Sequence, residues 1–172
     1  MKEHVKQAIA GVAPPKLGEV TNMTVWPTIA STTLGRLLGR LYSRDVHSAW
    51  GNLLTIRNVL VLVTIPLALL LWTWSIFPFR CLRYTLTNRR LIIQRGYTAR
   101  DVTSISLDQF DSIEVQVLPG QAWFHAGDLV FKRGKIETFR FYGVSRPEVF
   151  RHTCLKARQS YVGVKQAMEH QA

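Results

Sequence analysis

Residues Val59 to Phe79, VLVLVTIPLALLLWTWSIFPF, are 21 consecutive positions without an ionisable group. This run constrains the fold more than any other feature, because its side chains must find an apolar environment along its whole length. A helix of that length rises roughly 30 Å, the thickness of a hydrocarbon core, so the run predicts one transmembrane helix over residues 59–79. Pro66 is compatible with this, since neighbouring turns in a membrane helix re-satisfy the carbonyl it frees. Trp72 and Trp74 near one end and Trp50 beyond the other occupy positions where amphipathic rings favour the interface.

The flanks of this run differ from it and from each other. Residues 1–25 contain Pro14, Pro15 and few large apolar side chains, and read as a flexible tail without the apolar core of a cleavable signal peptide. Within residues 26–58, Leu34, Leu37, Leu38 and Leu41 follow helical spacing, with Arg36 and Arg40 one turn apart on another face. Arginines in the middle of a span cost roughly 2.5–3.5 kcal/mol each on insertion scales, so this segment reads as an amphipathic juxtamembrane helix lying in the interface, with a helix packed on the following domain as the alternative. After the run come Arg80, Arg83, Arg89, Arg90, Arg95 and Arg100, against Arg40, Arg44 and Arg57 before it. The bias of positive charge places the part after residue 80 on the cytoplasmic side of a single-pass protein.

From residue 80 the period changes from helical to alternating. LRYTLT and RLIIQRG flank Asn88, and VTSISL, SIEVQVL, DLVFKR and ETFRFYG follow, separated by LDQFD, PGQAWFHAG and RGK. Short alternating runs with turn residues between them predict an antiparallel meander curled into a barrel or two packed sheets. SRPE, Ser145 to Glu148, matches a helix-entry capping box, and Phe150, Cys154, Ala157, Tyr161, Val164 and Met168 then recur every three or four residues. The expected architecture is therefore α+β: one transmembrane helix, then an antiparallel β-barrel or sandwich over 80–172, capped by a C-terminal helix over 146–170.

The segments YTLTNRRLIIQRG, ISLDQFDSIEVQ, GDLVF and FYGVSRPEVF resemble the bacterial membrane-anchored pleckstrin-homology-like domains of the YdbS-like group. The resemblance covers roughly residues 80–155 and implies a PH-like fold, a bent antiparallel sheet closed by a helix. It does not imply an enzyme. The expected function is a non-catalytic binding module for protein interaction or assembly at the bacterial inner membrane, with direct recognition of anionic lipid headgroups by Arg89, Arg90, Arg95 and Arg100 as the alternative. Related proteins carry a pair of hydrophobic segments before the domain, whereas this chain shows one. Eukaryotic PH domains that bind phosphoinositides place basic residues around the first inter-strand loop, where Asn88, Arg89 and Arg90 stand here.

Other chemistries find little support. The histidines show no HExxH or paired-ligand spacing, and Cys81 and Cys154 belong to no CxxC pair, so neither a metal nor any cofactor is expected. Asp108 and Asp111 flank a turn, where aspartate supports the bend through backbone hydrogen bonds, and no nucleophile or phosphate-loop motif accompanies them. The chain carries 22 Lys and Arg against 11 acids, a net charge of +11. That balance favours an anionic partner, yet the aromatic–glycine order of an RNA-recognition strand is absent, so nucleic acid is not expected. The expected partners are a bilayer containing anionic lipids and an unknown protein.

Strand length assigns the basic residues to two ends. A strand rises about 3.3 Å per residue, so the turn Asn88–Arg90 lies about 20 Å beyond residue 82, away from the membrane, and is the candidate partner-binding turn. Alternate turns of a meander return to one end, which puts Gly96–Arg100 and Leu118–Gly127 beside the bilayer. Arg80, Arg83, Arg95, Arg100, Trp123 and Phe124 are the candidate membrane or lipid contacts, with the two rings either reaching headgroup depth or folding back onto the domain.

Overall fold

The computed structural model describes residues 18–43, 56–76 and 81–169. Among the described residues, seven strands form two antiparallel sheets. The first sheet has the order β1-β2-β3-β4, from Thr21–Val25 (β1), Leu82–Thr87 (β2), Arg90–Arg95 (β3) and Arg100–Ser106 (β4). The second has the order β5-β6-β7, from Ser112–Gln116 (β5), Ala126–Arg133 (β6) and Ile136–Ser145 (β7). Three longer helices accompany them: α1 (Thr33–Tyr42), α2 (Ile56–Ile76) and α3 (Pro147–Glu169).

Alternation in the strands supplies the core. Tyr84 and Leu86 of β2, Leu91 of β3, Ile105 of β4, Leu129 and Phe131 of β6, and Phe141 of β7 all point into one buried cluster. Phe150, Cys154 and Ala157 of α3 close it, as their spacing of four and three residues requires. The aromatic members meet in directional pairs: Tyr84 stacks on Phe141 at 4.3 Å, and Phe131 meets Phe110 and Phe141 edge-on at 5.1 and 5.2 Å. The Tyr84 hydroxyl donates to the Tyr142 carbonyl at 3.1 Å, which ties the two sheets together. Burial pushes its ionisation up to about 12.

Asp108 and Asp111 hold α3 in place. Lys165 donates to Asp108 at 2.9 Å, while Arg158 donates to the Phe110 carbonyl at 2.6 Å and to Asp111 at 3.3 Å.

Several expectations need correction. Among the described residues no helix is long and apolar enough to cross a membrane, so the transmembrane helix expected over 59–79 is not found. The sequence explains why. Trp72, Thr73, Trp74 and Ser75 occupy the end of α2, which leaves Val59–Leu71, interrupted by Thr64 and Pro66, as its mainly aliphatic stretch. At 1.5 Å per residue that stretch rises about 20 Å, against about 30 Å of hydrocarbon. Phe77 to Arg80 lie outside the described residues.

The second correction concerns Thr21–Val25, read as the end of a flexible tail. It is strand β1, paired antiparallel with β2 from Thr21↔Thr87 to Val25↔Tyr84. Ladder hydrogen bonds at an open sheet edge compensate for its weak apolar pattern. Third, α1 does not present a clean leucine face outward. Leu38 and Tyr42 are buried while Leu34 and Leu37 are exposed, because the helix docks through its glycines. A Cβ on Gly39 would collide with the carbonyl of Gly120, a residue at φ +92, so the two backbones meet directly. Finally, Ser145 ends β7 opposite Ala126 instead of capping α3, and the chain enters the helix through Arg146 at φ +47.

Candidate functional site

The basic turn after β2 is closed by the N-terminal segment. Asn88 exchanges two hydrogen bonds with Val20: its backbone N–H donates to the Val20 carbonyl at 3.0 Å, and its Oδ1 accepts from the Val20 N–H at 3.1 Å. Arg90 grips Glu19 in a fork, Nε to Oε1 at 2.7 Å and Nη2 to Oε2 at 2.9 Å, with Asp101 3.5 Å away. The guanidinium holds the Glu19 carboxyl below the usual carboxylate range. Thr87 fastens the turn from beneath, accepting from the Arg90 N–H and donating to its carbonyl. Asn88 and Arg90 are therefore engaged within the chain, and Arg89, which has interactions of its own, is exposed beside them.

The basic residues at the opposite end behave differently from one another. Arg83 donates through Nη2 to the carbonyls of Gly96 and Tyr97 at 2.9 and 3.2 Å, so it staples the β3–β4 turn. Arg95 and Arg100 have no hydrogen-bonding or ion-pairing partner of their side chains among the described residues. They stand directly opposite each other in the β3–β4 ladder, Arg95↔Arg100. Cross-strand partners share a face, and like charges so placed repel. Arg80, the remaining basic candidate, lies outside the described residues.

Trp123 and Phe124 lie on a short 3-10 turn, Ala122–Phe124, between β5 and β6. Both rings contact α1 and not the β core, and Trp123 remains 41% exposed. The Trp123 ring lies 5.6 Å from that of Tyr42, and Phe124 reaches Gly39. Buried Asp128 and Gln121 hold this loop. Gln121 donates to Asp128 Oδ1 at 2.6 Å and accepts from the Leu118 N–H at 2.8 Å, while the Gly143 N–H donates to the same Asp128 oxygen at 2.8 Å. Arg140 approaches the other carboxylate oxygen at 3.7 Å, an ion pair too long for a hydrogen bond. The latch escaped the sequence reading because Gln121 and Asp128 carry no motif, and their pairing emerges only when the loop closes.

Helix α2 touches the rest of the molecule along one side. Leu60, Val61, Thr64, Ala68 and Leu71 are half-buried at helical spacing, and the Thr64 and Tyr42 hydroxyls share a hydrogen bond of 2.7 Å. The other sides are apolar and exposed. Leu62 and Val63 are 67% and 72% exposed, and Val59, Leu69 and Leu70 continue the same stripe. Such a contiguous apolar surface marks a contact site, whereas single exposed leucines do not.

Between α2, the Trp26–Thr32 segment and the near end of β2–β3 lies a cavity of about 840 Å³. Trp26, Leu71, Trp72, Trp74 and Phe124 give it an apolar wall, and Arg95 is the charged residue among its described lining. Thr28 and Thr32 also line it, but their hydroxyls already donate to the carbonyls of Gly143 and Ile29. No cluster of metal-ligating side chains occurs among the described residues.

The bacterial PH domain family matches residues 30–158 of this chain. The protein belongs to that family. No curated protein and no solved structure matches it. The family match begins before α1 and ends within α3, so in this bacterial PH domain protein α1 and α2 are part of the family unit along with β2 to β7, while β1 precedes it. Among the described residues, the outer sides of α2 and the Arg95–Arg100 pair stand apart from the hydrogen bonds that close the Asn88–Arg90 turn.

Proposed function

We propose that this bacterial PH domain protein is a non-catalytic binding module that works at the surface of an anionic lipid bilayer. One observation carries the reading: the exposed aliphatic stripe Val59, Leu62, Val63, Leu69 and Leu70 on α2. In this reading α2 lies at the boundary between headgroups and acyl chains, with Leu34 and Leu37 of α1 exposed beside it. Trp72 and Trp74, at one end of α2, suit headgroup depth. The net charge of +11 complements an anionic leaflet. In a bacterium the inner membrane offers such a surface.

The test is cosedimentation of the full chain with vesicles of phosphatidylcholine alone or mixed with phosphatidylglycerol. The expected result is binding to both, stronger with phosphatidylglycerol, with the added part weakened by salt. Leu62→Ser with Val63→Ser should reduce both while the protein stays folded. A folded double variant that binds like the parent would overturn the reading. Loss of a dimer in the variant, seen by analytical ultracentrifugation with vesicle binding unchanged, would assign the stripe to a second copy.

A protein partner is the second reading, favoured by the exposed edge strand β4. Arg100–Ser104 are exposed, and β4 ends its sheet in the strand order. An extended peptide adding to that edge would make main-chain hydrogen bonds.

A further inference from the structure

The cavity under α2 presents two chemistries to a single occupant. Its wall is aromatic and aliphatic, and its volume of about 840 Å³ falls within the roughly 300–1,000 Å³ range of small-molecule sites. At one side stands Arg95, and directly across the ladder from it stands Arg100. Two guanidinium groups on one face, with no acid paired to either among the described residues, repel each other until an anion joins them. The Thr28 and Thr32 hydroxyls are already used internally, which leaves Arg95, the Ser31 hydroxyl and the indole N–H groups as the polar side-chain groups of a mainly apolar wall. Such a wall suits an apolar chain with one acidic end better than a free sugar or a nucleotide base, each of which needs several polar partners.

We propose that this cavity holds the acyl chain of one anionic amphiphile, whose acidic headgroup sits on Arg95 and Arg100. The chain lies against Trp26, Leu71, Trp72, Trp74 and Phe124, and the headgroup oxygens accept from the two guanidiniums. The site is separate from the Asn88–Arg90 turn, where Glu19 already occupies Arg90. Only the source of the amphiphile, a bilayer, rests on the surface reading above. The cavity chemistry stands without it.

Cys81 lines the same cavity and is half-exposed, whereas Cys154 is fully buried, and burial pushes its thiol ionisation up. Alkylation of the native full chain therefore reports on the cavity through Cys81. The experiment measures the alkylation rate in neutral maltoside detergent, with palmitate, with the uncharged alcohol of the same chain length, and with inorganic phosphate. Palmitate should slow the reaction roughly tenfold more effectively than the alcohol, and phosphate should not slow it. Native mass spectrometry should count one palmitate per chain. Arg95→Gln with Arg100→Gln should erase the advantage of palmitate over the alcohol while leaving the effect of the alcohol intact. A rate indifferent to palmitate overturns the proposal, as does protection by phosphate equal to that by palmitate. Retained preference in the double variant also overturns it. Vesicle binding with an unprotected Cys81 rejects this cavity alone, and a protected Cys81 without vesicle binding rejects the surface reading alone.

Discussion

Helices α2 and α3 are of similar length, 21 and 23 residues, and stand on the molecule in opposite ways. The sheets cover the apolar stripe of α3, and its other faces carry charge. On α2 the half-buried stripe is narrow, and the sides facing away are more apolar than the side that docks. The difference shows what each set of apolar residues is for. In α3 they stabilise the fold, because burial removes them from water against a matching surface. In α2 most of them lie outside the core formed by the described residues, which is the ground for proposing that an external surface covers them.

This contrast is open to a direct test. Phe150 of α3 is fully buried and meets Phe141 at 6.0 Å. Phe150→Ala should destabilise the domain by about 3–5 kcal/mol, read as a lower midpoint in urea unfolding. Leu62→Ala on α2 removes a comparable aliphatic group from a site already in water, and the same measurement should move by less than about 0.5 kcal/mol. Equal losses at the two positions would mean that α2 buries its outer face within the fold, which would dissolve the distinction.

A smaller effect is expected where the two regions join. Gly39 and Gly120 let the backbones of α1 and the β5–β6 loop touch, and no side chain fits between them. Gly39→Val should cost about 1–3 kcal/mol through overpacking and lift α1 away from the loop. Hydrogen exchange of the amides in Thr33–Tyr42 should accelerate, while those of β2 and β3 keep their protection. If the strands lose protection together with α1, the helix and the sheets form one cooperative unit.

Much of the β domain was legible in the sequence because alternation and turn chemistry are local signals. Ile113 and Val115 against Ser112, Glu114 and Gln116 fix a face without knowledge of any partner, and six of the seven strands announce themselves in this way. β1 does not, because Thr21–Val25 is made a strand by the β2 edge it completes, 61 residues away at Thr24 and Thr85. The apolar run was legible as apolar but not as a span, since the Trp72–Ser75 segment shortens the aliphatic part. The candidate site divides in the same manner. The basic character of residues 83–100 shows in the sequence, yet which arginines are engaged is decided by distant groups: the Gly96 and Tyr97 carbonyls for Arg83, and Glu19 for Arg90. Arg95 and Arg100 stand out only once the register sets them opposite each other.

The smallest expected effect concerns the closed basic turn, as opposed to the open basic end. The carboxyl of Glu19 has an ordinary value of 4.5, and its hydrogen bonds from Arg90 lower it in the folded protein. A carboxyl depressed on folding adds stability that is fully present above its unfolded value and disappears as pH falls through the folded one. The Glu19–Arg90 contribution should therefore be constant above about pH 5 and shrink below 4.5, where the unfolded chain begins to take up the proton first. Glu19→Gln removes the charge and should flatten that part of the acid limb, with a small loss at neutral pH because both side chains are partly in water. Arg95→Gln should leave the limb unchanged, since no carboxylate among the described residues pairs with it. If instead Arg95→Gln shifts the acid limb as much as Glu19→Gln does, the open end carries an internal counter-charge, and the two basic ends are not chemically distinct.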